Sequence, residues 1–267
     1  MKISIIVPAY NEEKRIGKTL KAYTEFFDNV SKKERFRYEI LVVINNTRDR
    51  TEDVVRNFQK KNPHVRFLNL KHRGKGLAIT EGFKDALKLD ANLLGFVDAD
   101  MATPPESFYD LVTSIKGYDG AIANRYDAKS KIHPAFTARR AIIAVGFNIF
   151  VRGLFFLNYR DTQCGAKIFT RHAIEKIIPH LTIAQWAYDI DLLYLAKREG
   201  FRIYSCPTVW YDVEGSKIDL IGTSANMFFA VGQLRILHSP FVRLLLPLKR
   251  VIGMLYHYLL ARKTHAS

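Results

Sequence analysis

Asp98 and Asp100 stand one residue apart, directly after the apolar run Leu93-Leu94-Gly95-Phe96-Val97. Two carboxylates so spaced at a strand end can hold a hard divalent cation and present it to phosphate oxygens. A diphosphate leaving group gains negative charge as its bond breaks, and a cation there lowers the barrier electrostatically. The same Asp-x-Asp spacing also occurs in solvated turns and helix caps, so its place in the chain must carry the argument. Tyr10-Asn11-Glu12 and Asn45-Asn46-Thr47 are polar groups that likewise follow apolar runs, and Gly74-Lys75-Gly76 opens a helical stretch. Arg125 and Arg140 offer planar guanidinium forks suited to phosphate oxygens. Arg139 and Arg140 also read as surface residues on an apolar helix, and Lys75 as a solvated turn lysine.

The elements that must position these groups can be read from hydrophobic periodicity. Ile3 to Val7 and Ile40 to Ile44 are near-continuous β-branched and aliphatic runs, as in strands buried on both faces. Val65 to Leu70 and Leu93 to Val97 are two further candidates, with helical stretches at Glu12 to Val30, Thr51 to Lys61 and Gly76 to Leu89. This alternation predicts βαβ units and a parallel sheet, with ligands bound beyond the carboxyl ends of the strands. The polar groups above all fall at those ends. Later come an apolar helix at Ala138 to Leu157, a loop entering a strand at Asp161 to Phe169 and an amphipathic helix at Ala187 to Arg198. A strand at Phe201 to Ser205 follows, then helices near Leu220 to Leu237 and Phe241 to Ala261. The economical description is one α/β domain over residues 1–218 and a basic helical annex over 219–267.

Composition narrows the partners. The net charge of +15 calls for a polyanionic partner, either nucleic acid, an acidic membrane surface or phosphorylated substrates. No acidic residue follows Asp219, while Arg235, Arg243, Lys249, Arg250, Arg262 and Lys263 remain, set among aliphatic and aromatic runs. A basic segment this apolar fits a membrane interface better than a nucleic-acid groove, although a helix packed on the core or on another subunit reads similarly. Val251 to Ala261 is uncharged for 11 residues, short of the roughly 20 that a spanning helix needs. Cys164 and Cys206 give no disulfide framework and suit a reducing compartment, and Met-Lys-Ile-Ser leads straight into a strand with no secretory signal. The expected location is the cytoplasmic face of a membrane, held peripherally. No recognition-helix pattern or clustered stacking platform points to nucleic acid.

Ile5-Ile-Val-Pro-Ala-Tyr-Asn-Glu12, Gly74-Lys75-Gly76 and Asp98-Ala99-Asp100, in this order, resemble the inverting GT-A glycosyltransferases. Asp161-Thr-Gln-Cys-Gly-Ala-Lys167, Trp186-Ala-Tyr-Asp189 and Val213-Glu-Gly-Ser-Lys217 are similar to the dolichyl-phosphate glucosyltransferase branch, which stands beside the dolichol-phosphate mannose synthases. The resemblance implies a Rossmann-like, mostly parallel sheet flanked by helices. It also implies a nucleotide-sugar donor, a polyprenyl-phosphate lipid acceptor and Mg²⁺ or Mn²⁺. By position, Pro8, Tyr10 and Glu12 would frame base and ribose, with Lys75 near the nucleotide. Asp98 would touch the ribose or support the metal, and Asp100 would bind it. Arg125 and Arg140 would grip the acceptor phosphate, and Lys217 would contact a phosphate.

Four positions depart from that pattern. Asn45-Asn46 stands where relatives carry two aspartates, His72 where Asn is usual, and Asp191 where Glu is common. An amide at Asn45 both accepts and donates, which suits uracil better than guanine and favours a UDP-sugar; the resemblance implies UDP-glucose. Many basic residues lie between Arg125 and Arg160, seven Lys and Arg with Asp127 the one acid. They suit a phosphate acceptor that is already anionic near neutrality and needs no general base. Asp189 or Asp191 is then expected to orient sugar hydroxyls or brace an arginine. The alternatives are a hydroxyl acceptor, mannosyl transfer from GDP-mannose, and a silent nucleotide-binding scaffold.

Overall fold

Along the first strand, β1 (Lys2–Ala9), Ile3, Ile5 and Val7 alternate with Ser4 and Ile6, and both sets are buried. A strand covered on both faces lies between two layers of helices. The computed structural model describes residues 1–182, 187–212 and 220–239. After β1 come α1 (Ile16–Glu34), β2 (Arg37–Asn45), α2 (Thr51–Gln59), β3 (Val65–Leu70), α3 (Lys75–Leu87) and β4 (Leu93–Val97). These four strands pair in parallel in the order β3-β2-β1-β4, as the alternating pattern predicts. The first helix starts later than expected. Glu12 to Arg15 form a turn in which the Glu12 carbonyl accepts the N–H groups of Arg15 and Ile16.

The second half supplies the remaining strands. Its elements are α4 (Pro105–Ser114), β5 (Gly120–Asn124), β6 (Lys131–His133), α5 (Ala138–Phe155), β7 (Ala166–Thr170) and α6 (Arg171–Ile177). They are followed by α7 (Tyr188–Arg198), β8 (Ile203–Pro207), β9 (Val209–Tyr211) and α8 (Leu220–Leu237). The main sheet has seven strands in the order β3-β2-β1-β4-β7-β5-β8. β7 runs antiparallel to both its neighbours, while β6 and β9 form a separate parallel pair. The mostly parallel sheet flanked by helices is the GT-A architecture expected above. Sequence periodicity does not anticipate β5, whose Gly-Ala-Ile-Ala-Asn composition has little strand propensity.

Two apolar layers hold the sheet. On one face Tyr23 and Phe27 of α1 meet Phe108 and Leu111 of α4 and the side chains of Ile3, Ile5 and Val7. On the other, Ile79 and Phe83 of α3 join Tyr188 and Leu193 of α7 over Ile6, Val43 and Phe96. The annex is described in part: α8 covers Leu220–Leu237 as expected, and its Phe228 ring lies 5.2 Å from Phe147 and 4.9 Å from Phe150 of α5. The helix expected over Phe241 to Ala261 lies outside the described residues. Among the described residues no helix is long and apolar enough to cross a membrane.

Phe27 is fully buried, with Tyr23, Phe26, Phe36, Tyr38, Phe108 and Tyr109 all in ring contact at 6.4 Å or less. Phe27→Ala should therefore cost about 3–5 kcal/mol of folding stability. In urea titrations this should appear as a lowered midpoint at unchanged slope.

Candidate active site

Three of the turns at the carboxyl ends of the parallel strands contain a residue with left-handed backbone: Asn11 after β1 (φ 54), Asn46 after β2 (φ 57) and Met101 after β4 (φ 64). Asn tolerates this conformation well, which gives Asn46 a backbone reason independent of any ligand. Met101 has no such excuse, and its strain falls at the residue following the Asp-x-Asp pair. Gly74 (φ 154) caps α3 in a conformation that only glycine adopts easily. The first two loops are tied together: the Asn11 carboxamide oxygen accepts from the Thr47 hydroxyl at 3.1 Å and the Arg48 N–H at 2.9 Å. Asp49 accepts from the Thr47 and Thr51 hydroxyls and the Glu13 N–H, and although burial pushes its carboxyl up, these bonds bring it down to about 2.

Between these turns lies a cavity of about 650 Å³ lined by Pro8, Tyr10, Glu12, Asn45, Lys75, Asp98 and Asp100, together with Arg73, Gly74 and Ala99. Seven residues singled out from sequence are thus brought together. Arg73 is an addition, its guanidinium lying 4.0 Å from the centre of the Tyr10 ring. Lys75 places its ammonium 2.5 Å from Asp98 Oδ1. Burial alone would depress that ammonium, but Asp98 and then Asp189 hold it above its ordinary range. Glu12 is committed to Arg15, whose Nε and Nη2 donate to its two oxygens at 2.7 Å each.

Asp100 differs from its neighbour. Its Oδ1 accepts the Ala102 N–H at 3.0 Å, and it makes no ion pair among the described residues. Burial, then the like charge of Asp98, raises its carboxyl above the ordinary value. A part-buried carboxylate beside a second one, without a bonded cation, is a donor set that a divalent ion would complete. Only two carboxylates are available, since no cluster of three or more acidic, His or Cys ligands exists among the described residues. The residues fit a metal that takes its other ligands from phosphate oxygens and water.

The loop Asp161–Lys167, leading into β7, organises what lies beside the cavity. A Cβ on Gly165 would fall 1.9 Å from Asp98 Oδ2, so the carboxylate sits where only glycine leaves room. At the other end of the loop, buried Asp161 accepts from Arg125 Nε at 2.8 Å, Arg125 Nη2 at 3.0 Å and the Arg125 N–H at 3.0 Å. The Arg125 guanidinium lies 5.3 Å and that of Arg140 5.8 Å from the Trp210 ring centre, so the two arginines converge on one indole. Arg140, in the first turn of α5, is ion-paired to Asp212 and half-exposed. These two line a separate region from the cavity, connected to it through the loop.

Asp189 is not free to face the cavity alone. Lys167, fully buried in β7, donates to its Oδ1 and to the Cys164 carbonyl at 2.8 Å. Asp191 lies deeper still, with Oδ2 held by the Thr182 N–H at 2.7 Å and hydroxyl at 2.8 Å and Oδ1 2.6 Å from His238. It therefore fastens α7 to the end of α8 and lies away from the cavity. Lys217, Trp186 and the Val213–Lys217 motif lie outside the described residues. Sequence reading missed Arg73, Trp210, Asp212 and the part played by Lys167. A lysine inside the apolar run Ala-Lys-Ile-Phe was the one available signal, since a buried ammonium requires a carboxylate.

Because its folded carboxyl is raised, Asp100 costs the metal-free protein stability as pH rises from the ordinary carboxylate range through the raised value. Asp100→Asn should thus increase the melting temperature in EDTA at neutral pH, with the gain vanishing in acid. The same variant should lose the melting shift that Mn²⁺ and a nucleoside diphosphate give the native chain. Scanning calorimetry across pH, with and without Mn²⁺, checks both; a fall in metal-free stability at neutral pH would contradict this electrostatic account.

Residues 4–178 match the sequence profile of Glycosyl transferase family 2. The chain is 35% identical over 237 residues to a dolichyl-phosphate beta-glucosyltransferase of Dictyostelium discoideum, covering 84% of this chain and 71% of that protein. It is 30% identical over 227 residues to the Homo sapiens protein of the same name, covering 81% and 69%. Among solved structures, glucosyl-3-phosphoglycerate synthase from Mycobacterium tuberculosis with Mn²⁺, UDP-glucose and phosphoglyceric acid superposes with a TM-score of 0.62 at 16% identity, over 88% of this chain and 79% of that one. That likeness is one of fold. With the sheet order, the cavity at the strand ends and the family match in agreement, the chain belongs to glycosyl transferase family 2 and is a glycosyltransferase of the GT-A fold.

Proposed function

We propose that the chain transfers glucose from UDP-glucose to a polyprenyl (dolichyl) phosphate with inversion at the anomeric carbon. The observation that carries this reading is the convergence of Arg125 and Arg140 on Trp210, joined to the carboxylate cavity by one seven-residue loop. Two guanidiniums beside a nucleotide-sized cavity suit an acceptor that arrives as a phosphate. The relatives' names supply the sugar and the lipid.

In this reading Pro8, Tyr10 and Glu12 border base and ribose, and the buried Asn45 carboxamide pairs with uracil. The Lys75 ammonium, paired with Asp98, can also share its positive charge with the donor's phosphates. Asp98 and Asp100 would hold Mg²⁺ or Mn²⁺, which supplies positive charge to the departing diphosphate. The acceptor oxygen is anionic before reaction, so no side chain has to remove its proton. Asp189, fixed by Lys167, orients the sugar instead of acting as base. The two arginines divide the acceptor work unequally. Arg125 spends Nε and Nη2 on Asp161 and mainly positions the loop, whereas Arg140 can exchange Asp212 for phosphate.

The domain over 1–218 would carry this chemistry, and the basic annex over 219–267, with Lys217 just before it, would sit at the cytoplasmic face of the membrane. The apolar sequence of that annex, with no acidic residue after Asp219, supports a peripheral attachment.

The test is transfer of labelled glucose from UDP-glucose to dolichyl phosphate in detergent, with Mn²⁺ or EDTA and with GDP-mannose alongside. Metal-dependent lipid product from UDP-glucose alone is expected. Donor binding with no lipid product would move the acceptor to a hydroxyl compound, product from GDP-mannose would change the sugar, and absent donor binding would leave a silent scaffold. Gly165→Ala should lower the rate about 100-fold with the fold intact, since a displacement of about 1 Å at Asp98 has that scale of effect. Arg140→Ala should chiefly raise KM for the lipid phosphate. Arg125→Ala should instead lose about 3–5 kcal/mol of stability by stranding buried Asp161.

A further inference from the structure

α1 buries two hydroxyl groups whose hydrogen bonds leave the helix. Thr19 and Tyr23, four residues apart, are each 1% accessible and share its buried face. Thr24 on the same helix shows the usual arrangement, its hydroxyl returning to the Leu20 carbonyl at 2.8 Å. Thr19 reaches outward instead. Its hydroxyl is 3.4 Å from the Arg15 carbonyl at the start of the helix and 2.6 Å from the Ala99 carbonyl. The Tyr23 hydroxyl donates to the Thr103 carbonyl at 2.9 Å. Both therefore end on the turn that carries Asp98 and Asp100.

We propose that Thr19, with Tyr23 one turn further along α1, is a positioning residue for the divalent cation, holding the Asp98–Thr103 turn in the backbone arrangement that presents both carboxylates to the cavity. The proposal rests on the reading of Asp98 and Asp100 as metal ligands. The turn needs such a hold. Met101 is left-handed (φ 64), a conformation disfavoured for any residue with a Cβ, and it persists only where the surroundings over-determine it. Three ties surround it. Thr19 fixes the Ala99 carbonyl before it, Tyr23 fixes the Thr103 carbonyl after it, and the Ala102 carbonyl accepts the Tyr211 N–H at 2.8 Å.

The Ala99 tie bears most directly on the ligands. A trans peptide carries its carbonyl and N–H on opposite sides, so fixing the Ala99 carbonyl also sets the Asp100 N–H. The direction in which the Asp100 side chain leaves the backbone follows from that. Asp100 then closes the turn through the Ala102 N–H at 3.0 Å. Ala99 and Thr103 are buried, so a carbonyl deprived of its hydroxyl has to move to find another partner. Such a movement displaces the carboxylates on either side of it. Thr19 is absent from the cavity lining and acts only through Ala99.

The experiment is titration of the full chain with Mn²⁺ in the presence of UDP, followed by loss of the free-ion electron paramagnetic resonance signal. Native protein is compared with Thr19→Val, Thr19→Ser, Tyr23→Phe and Thr24→Val, with folding checked by circular dichroism. Thr19→Val keeps the branched shape and deletes the hydroxyl; it is expected to weaken Mn²⁺ binding about 10-fold or more, the scale seen when a support of a metal ligand is removed. Tyr23→Phe should shift affinity in the same direction, and Thr19→Ser should restore it. Thr24→Val, the same change at a buried site whose hydroxyl stays within the helix, should bind as the native chain does. Hydrogen exchange in EDTA supplies a readout without metal: residues 98–103 should exchange faster in Thr19→Val while the sheet does not. In the transfer assay the Mn²⁺ concentration for half-maximal rate should rise with KM for the lipid phosphate unchanged. A merely structural role would instead lower the rate equally at every Mn²⁺ concentration. Should Thr19→Val fail to fold, Tyr23→Phe carries the same test. Equal Mn²⁺ affinity in the native chain and the folded variants would overturn the proposal, as would an equal loss in Thr24→Val. A native chain that binds no Mn²⁺ would sink the reading of Asp98 and Asp100 as ligands, and this proposal with it.

Discussion

A lysine ammonium buried in the middle of the sheet is the constraint around which this site is arranged. Lys167 has no solvent, so its charge must be met inside the protein, and it is met by Asp189 and the Cys164 carbonyl. That requirement fixes the first turn of α7 against β7 and sets the course of the loop that precedes the strand. The same loop leaves Gly165 against the Asp98 carboxylate and Asp161 in the grip of Arg125. One compensated charge therefore determines how the two halves of the site face each other.

The inserted strand makes this possible. In a sheet of parallel strands only, each loop at the carboxyl end would return through a helix to the far side. β7 runs the other way between β4 and β5, so the residues entering it start from the ligand-binding edge. Gly165 and Asp161 reach the Asp-x-Asp turn and the Arg125 region through one short segment. Four ion pairs link the elements around it: Lys75 with Asp98, Lys167 with Asp189, Arg125 with Asp161, Arg140 with Asp212. Asp100 stands outside this pairing: among the described residues no cation is paired with it, and its Oδ1 accepts only the Ala102 N–H.

The pairs differ in how tightly they are held. Arg125–Asp161 is bidentate, reinforced by a backbone N–H and shut away from water. Arg140–Asp212 is a single contact between part-exposed groups, where water weakens the pair. Trp210 serves both by offering one indole to two guanidiniums. The exposed apolar side of α5, Ile142, Val145 and Ile149, begins beside this region.

By itself the sequence determined the elements whose signal is local. Continuous aliphatic runs specified β1 to β4, and the residues after them, Tyr10, Asn45, Asp98 and Asp100, could be assigned to one site because parallel strands deliver their carboxyl ends to one edge. Motif resemblance added Arg125, Arg140 and Asp189 as participants. Tertiary structure alone decided their partners. Nothing in the spacing of Asp161, Asp189 and Asp212 announces that each neutralises a different cation, because ion pairing depends on which strands are neighbours. β5 was illegible because its alanines and glycine acquire strand character only from the neighbours they pack between. The α5 face was illegible for a related reason: periodicity shows that a residue is apolar, and only the packed fold shows which apolar residues remain uncovered.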